Sequence, residues 1–114
     1  MKYTEYSIAW ADFPYDDISF SEIRPVLILG IKSQKDKTLC AKITSTPPRN
    51  NYNDLRISNS LQIGLQQEST IRLDTLVYIN DNDIKDRIAR LSTHDIKEVK
   101  HALIEMIKKK NQYK

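Results

Sequence analysis

The sequence predicts a mainly β fold in which a twisted, barrel-like sheet carries one helix at its C-terminal end. Three patterns lead there. Apolar and polar residues alternate over short stretches from Ile8 to Ile79, the period-two signature of half-buried strands. Proline and Asn- or Asp-rich segments punctuate those stretches at Pro14, Asp16-Asp17, Pro47-Pro48 and Asn50 to Asn53. A helical period appears only after Ser92, where Ile96, Val99, Leu103, Met106 and Ile107 fall on one face.

The first strand is expected over Ile8 to Phe13, with Ile8 and Trp10 on one face and Trp10 in the core. Pro14 and the two aspartates end it, and the chain to Glu22 reads as a loop. Val26 to Ile31 is a compact apolar strand, followed by a polar connection from Lys32 to Lys37. Thr38 to Thr44 is the third strand, with Leu39, Ala41 and Ile43 facing one way and Thr38, Cys40 and Lys42 the other. Pro47-Pro48 stops it, and a short strand is expected near Leu55 to Ile57. Leu61, Ile63 and Leu65 again alternate with polar residues, and Ser69 to Ile79 reads as a longer strand. Asn80 to Asp83 reads as a turn or a short helical start, without the length of a calcium loop, and Asp86 to Leu91 as a further short strand. Ser92 and Asp95 resemble a capping box, and the helix they start runs over about residues 93–110, placed to cover one side of the sheet.

At 114 residues the chain suits one domain with one modest core, residues 1–114 throughout. Its 39% apolar and 29% charged composition is that of a globular protein. No stretch reaches the roughly 20 apolar residues that span a bilayer, and the N-terminus lacks a signal-peptide pattern, so no membrane association and a cytoplasmic location are expected. Cys40 is alone between apolar neighbours and reads as a buried thiol. With it, two histidines offer no zinc-ligand spacing, so neither a metal nor another cofactor is expected. The net charge of +3 is uneven: residues 97–114 carry six lysines against two glutamates, and the rest of the chain is close to neutral. That excludes a uniform basic coat for nucleic acid.

The chemistry-bearing point is Arg24-Pro25, which closes the polar segment DFPYDDISFSEIRP and opens the apolar run Val26 to Leu29. A second polar cluster, Thr44-Ser45-Thr46, ends the third strand. Guanidinium and hydroxyl donors at two strand ends suggest one anion-handling edge.

The segments DFPYDD, RPVLIL, AKITST, ESTIRLDTL and RIARLSTHDI, in this order and at these intervals, resemble the MazF/PemK family of toxins of type II toxin–antitoxin systems. The ordered set covers most of the chain, from Ile8 to about Ile107. The resemblance implies an SH3-like barrel of plasmid-toxin type with a helix, a homodimer, cleavage of single-stranded RNA without a metal, and inhibition by a cognate antitoxin protein. The family's catalytic arginine before proline falls on Arg24, and its threonine at the end of the following strand falls on Thr44. Asp12, Phe13, Pro14 and Glu22 match positions that shape the RNA-facing surface. Two positions depart from the pattern. Tyr6-Ser7 stands where Gly-Asp is usual, and Ala89 stands where the last short strand often has glycine.

Arginine stays protonated to above about pH 12, so Arg24 suits charge stabilisation better than proton transfer. A glutamate carboxyl ordinarily titrates at about 4.3 and exchanges protons more readily, which makes Glu22 the third catalytic candidate. Tyr15, Phe20 and Tyr52 are candidates for stacking on bases. Lys42, Arg49 and Arg56 are candidates for the RNA backbone, and Ser45 and Thr46 are further hydroxyl donors. His94 and His101 read as structural or surface residues of the helix. Two other functions remain open: a catalytically weak RNA- or protein-binding module on the same fold, and a related toxin that poisons gyrase.

Overall fold

The computed structural model describes residues 3–14, 21–30, 36–50 and 53–112. Its elements are β1 (Ser7–Pro14), β2 (Ser21–Ile28), β3 (Lys37–Thr44), β4 (Asp54–Arg56), β5 (Thr70–Asn80), a 3-10 turn (Asp81–Asp83), β6 (Ile84–Arg90) and the helix α1 (Thr93–Gln112). All neighbouring strands pair antiparallel, in the order β4-β5-β3-β2-β1-β6. The mainly β class with a C-terminal helix is therefore as expected. Among the described residues the hydrogen-bonded ladder stays open at β4 and β6, so these strands do not close into a ring.

Strand alternation explains why both faces are buried. Ile8, Leu27, Ala41 and Ile43 join Ile71, Leu73, Ile96, Val99 and Ala102 in a cluster between sheet and helix. Ala9, Ala11, Val26, Ile28 and Cys40 point the other way and meet Ile79 and Ile84, which flank the turn between β5 and β6. Register shifts in the β3–β5 and β1–β6 ladders let the strands bend around this second cluster.

Several boundaries differ from the expected ones. The largest correction is β2, which begins at Ser21 where a loop was expected to continue through Glu22. Ser21 to Leu27 pair residue for residue with β1, from Pro14↔Ser21 to Ile8↔Leu27. The cross-strand ladder holds this polar half extended, a tertiary effect that hydrophobic alternation does not report. Leu61, Ile63 and Leu65 are also not in a strand. Their segment is a set of turns in which Ile63 N–H donates to Asn59 O (3.1 Å) and Leu65 N–H to Ser60 O (3.0 Å). Asn59 (φ 59°) and Gly64 (φ 113°) occupy the left-handed region, which breaks extended backbone.

Tyr6 adopts φ 65° at the position where the resembling pattern has glycine. The side chain offsets the backbone cost by packing on the main core, with Lys100 Nζ 5.7 Å from its ring centroid. Burial, then Glu5, raises its hydroxyl pKa.

At the helix start Asp95 N–H donates to Ser92 Oγ (3.1 Å), as the capping reading expects. The Asp95 carboxylate reaches Ser58 instead, accepting from its N–H (2.9 Å) and Oγ (2.8 Å), and so ties the helix to the segment after β4. Ile107 departs from the expected apolar face. It is 61% exposed, while Ile96, Val99 and Ala102 are buried. None of the described helices is long and apolar enough to cross a membrane.

Candidate functional site

β1 and β2 place the first part of the site. Phe13↔Glu22 and Ala11↔Arg24 are ladder pairs, so Glu22 and Arg24 lie on one face of β2, two residues apart. Arg24 Nη2 donates to Glu22 Oε2 at 3.4 Å, with the side chains 32% and 45% exposed. A pair this long and exposed holds little free energy.

β3 supplies the facing wall. Its ladder with β2 is confined to Val26↔Lys42, Leu27↔Ala41 and Ile28↔Cys40, and it stops beside Pro25, which has no N–H to donate. Continuing that register brings Thr44 level with Arg24. Beyond the last rung the strands frame an open cleft of about 250 Å³. Glu22, Arg24, Thr44 and Ser45 line it, over buried Ile43 and Leu65. Thr44 Oγ1 donates to Thr46 Oγ1 (3.3 Å) and accepts from Thr46 N–H (3.2 Å), which fixes the hydroxyl at the start of the turn.

The remaining expected residues fall in different places. Lys42 is partly buried on β3, two residues before Thr44. Burial lowers its pKa, as do Arg24 and Arg72, against the opposing pull of Glu22. Thr46 touches Thr44 but is not part of the cleft wall. Arg49 is anchored away from it. Its Nε and Nη2 donate to Asp54 at 2.8 Å each, and Nη2 also reaches Asp74 at 2.7 Å. Those bonds raise its pKa and hold the Asp54 carboxyl below the usual range. Arg56 pairs with Glu68 at 3.3 Å, both well exposed. Tyr15, Phe20 and Tyr52 lie outside the described residues.

The cleft also contains residues that sequence reading did not single out. Trp10, expected in the core, is only partly buried and lines the cleft beside Ile23, which is 50% exposed. Gln66, Gln67 and Ser69 complete the wall from the turns before β5. The period-two pattern of Leu61 to Leu65 concealed these turns. Both histidines are on α1, away from this cleft, and His94 lies 4.0 Å from Glu98. Cys40 is buried, its thiol pushed up to about 12 by burial and by Asp81, and Sγ donates to Thr38 O at 3.6 Å.

The family of PemK-like, MazF-like toxins of type II toxin–antitoxin systems matches residues 4–107. The chain belongs to that family. Solved structures agree on the fold. A MazE-MazF complex from Deinococcus radiodurans superposes with TM-score 0.73 at 12% identity, over 94% of this chain and 96% of that one. An endoribonuclease from Mycobacterial species gives 0.70 at 11%, over 94% and 92%. The Mycobacterium tuberculosis toxin MazF-mt6 gives 0.66 at 22%, over 84% and 90%. No curated protein matches the chain in sequence. For this PemK/MazF-like chain, the family match covers both strands that carry Arg24 and Thr44.

Proposed function

We propose that the protein is an endoribonuclease that cuts single-stranded RNA at specific sequences without a metal, as the toxin of a pair whose antitoxin neutralises it. The observation that carries this reading is the cleft in which Arg24, Glu22 and the Thr44 hydroxyl converge. RNA supplies its own nucleophile. The 2′-OH attacks the adjacent phosphorus, the bond from phosphorus to the 5′-oxygen breaks, and the products carry a 2′,3′-cyclic phosphate and a 5′-hydroxyl.

Arg24 holds the non-bridging oxygens and stabilises the charge that builds on them, with several donors in a fixed fork. Thr44 donates to the same phosphate, with Ser45 beside it. When phosphate displaces Glu22 from Arg24, the freed carboxylate takes the 2′-OH proton, and a solvent water protonates the 5′-oxygen as it leaves. Lys42 contacts the backbone, and Tyr15, Phe20 and Tyr52 stack on bases. Thr46, Arg49 and Arg56 act further out along the bound strand.

The assembly reading is a cytoplasmic homodimer. Among the similar solved structures, one is an endoribonuclease in complex with its cognate antitoxin and another is MazE-MazF. An apolar groove between α1 and the sheet, with Leu76, Met106 and Ile107 in its wall, gives this chain a surface for a second polypeptide.

Arg24→Ala tests the assignment. Purified variant and parent are compared on a mixed single-stranded RNA, with circular dichroism as the control for folding. The expected loss is about 100-fold or more in cleavage rate. Parental cleavage by a folded variant would remove Arg24 from the mechanism.

A further inference from the structure

Three cations share one face of the sheet. Lys42 on β3 is the ladder partner of Val26 on β2 and of Arg72 on β5. Arg24, two residues before Val26 on the same strand, has the same facing. Lys42 and Arg72 are thus like charges directly opposite each other, an arrangement that destabilises a sheet. The crowding is visible in Lys42, whose protonated form is disfavoured by burial and by both arginines.

Asp54, the ladder partner of Arg72 on β4, offsets this only in part. Asp54 Oδ2 lies 3.9 Å from Arg72 Nε, beyond hydrogen-bond range, and Asp54 is engaged by Arg49 through three shorter bonds. Among the described residues Arg72 Nε has no hydrogen-bond partner, although the side chain is only 20% exposed. Arg24, Lys42 and Arg72 thus stand against the carboxylates of Glu22 and of Asp54, which Arg49 shares, and this excess of positive charge on one face suits an anionic ligand.

We infer that Arg72 and Lys42 form a second phosphate subsite, which takes a backbone phosphate of single-stranded RNA neighbouring the one held by Arg24. The inference rests on the ribonuclease reading and adds Arg72 to it. The Lys42–Arg72 row lies two residues, about 7 Å, along the strands from Arg24, so the two subsites hold different phosphates of one strand. An RNA entering over the Glu22–Arg24 cleft continues onto this face. Arg72 therefore contributes to binding and register and leaves the bond-breaking step to Arg24.

The test uses a fluorescently labelled, mixed-sequence RNA with methylated 2′-hydroxyls, which lacks the nucleophile and stays intact. Its Kd is measured against salt for the parent, Arg72→Gln, Arg72→Lys and Lys42→Gln. Loss of one phosphate contact reduces the slope of log affinity against log salt by about 0.7. Arg72→Gln and Lys42→Gln are each expected to show that reduction, and Arg72→Lys to keep the parental slope. On unmethylated RNA, Arg72→Gln raises KM and leaves kcat near the parental value. Its Tm stays near the parental value, because loss of the long Asp54 ion pair and relief of the Lys42 repulsion oppose each other. Should Arg72→Gln fail to fold, Lys42→Gln reads the same slope. A parental slope in a folded Gln variant overturns the subsite alone. A parent that neither binds nor cuts RNA overturns the ribonuclease reading and the subsite with it.

Discussion

Replacing Asp54 with alanine removes the carboxylate that clamps the chain after β3 onto β5. The Asp54 side chain is fully buried and accepts from Arg49 N (2.9 Å), Nε (2.8 Å) and Nη2 (2.8 Å). A hydrogen bond to a charged group contributes about 1.5–3 kcal/mol net. The Arg49 side chain is 43% exposed and recovers water when its partner is lost, so its two bonds count for much less than the buried limit. The expected loss is about 2–3 kcal/mol in total. For 114 residues the unfolding entropy near the midpoint is about 0.24 kcal/mol/K, which converts that loss to a Tm drop of about 8–12 °C. Acid supplies an independent sign. Arg49 depresses the folded pKa of Asp54, so its contribution is complete above the unfolded value of about 3.9 and is lost as pH falls through the lower folded value. Thermal melts followed by circular dichroism should show a constant gap between parent and variant from neutrality to about pH 4, narrowing below it. A neutral-pH shift under about 2 °C, or a gap that widens in acid, would refute the clamp.

Three further changes probe other parts of the structure. Thr44→Val should lower cleavage about 100-fold with little change in Tm, because the lost hydroxyl faces an open cleft; a kinetic effect under about threefold would remove Thr44 from phosphate binding. Ser92→Ala deletes the acceptor for Asp95 N–H and should cost about 1 kcal/mol, or about 4 °C in a thermal melt. An unchanged Tm would show that Ser92 does not cap α1. Cys40, with its thiol pushed up to about 12, should resist iodoacetamide in the native protein near neutral pH and react on unfolding. Rapid native alkylation, read by mass spectrometry, would contradict its burial.

Much of the fold was legible because burial follows period. β1, β3 and β5 lie within one residue of their expected bounds, since Ile8, Ala41, Ile43, Ile71 and Leu73 alternate into the core. α1 starts where Ser92 announces it. The polar half of β2 was hidden, because Glu22 and Arg24 stay extended through pairing with Phe13 and Ala11, and that pairing leaves no hydrophobic trace. The turns before β5 were hidden for the opposite reason: their alternating leucines and isoleucine mimic a strand, while Asn59 and Gly64 bend the backbone.

The site divides in the same way. Arg24-Pro25 and Thr44 stood out as polar residues at the ends of apolar runs, and the structure brings both to one cleft. Gln66 and Gln67 could not be placed there without the turns that carry them. Arg49 looked like a free loop cation, yet two carboxylates from β4 and β5 hold it, and only tertiary contact reveals that. Arg72 stands in the sequence as one residue of the strand expected over Ser69 to Ile79, and only the β3–β5 register sets it opposite Lys42.

The central claim is that this cleft cuts RNA with the substrate's own 2′-OH as nucleophile. The most direct measurement is incubation of the purified protein with mixed single-stranded RNA in excess EDTA, followed by mapping of the cut positions and chemical analysis of both new ends. The expected result is cutting at recurrent sequences, with 2′,3′-cyclic phosphate on one fragment and 5′-hydroxyl on the other. Cleavage abolished by EDTA, or products bearing 3′-hydroxyl and 5′-phosphate ends, would contradict it.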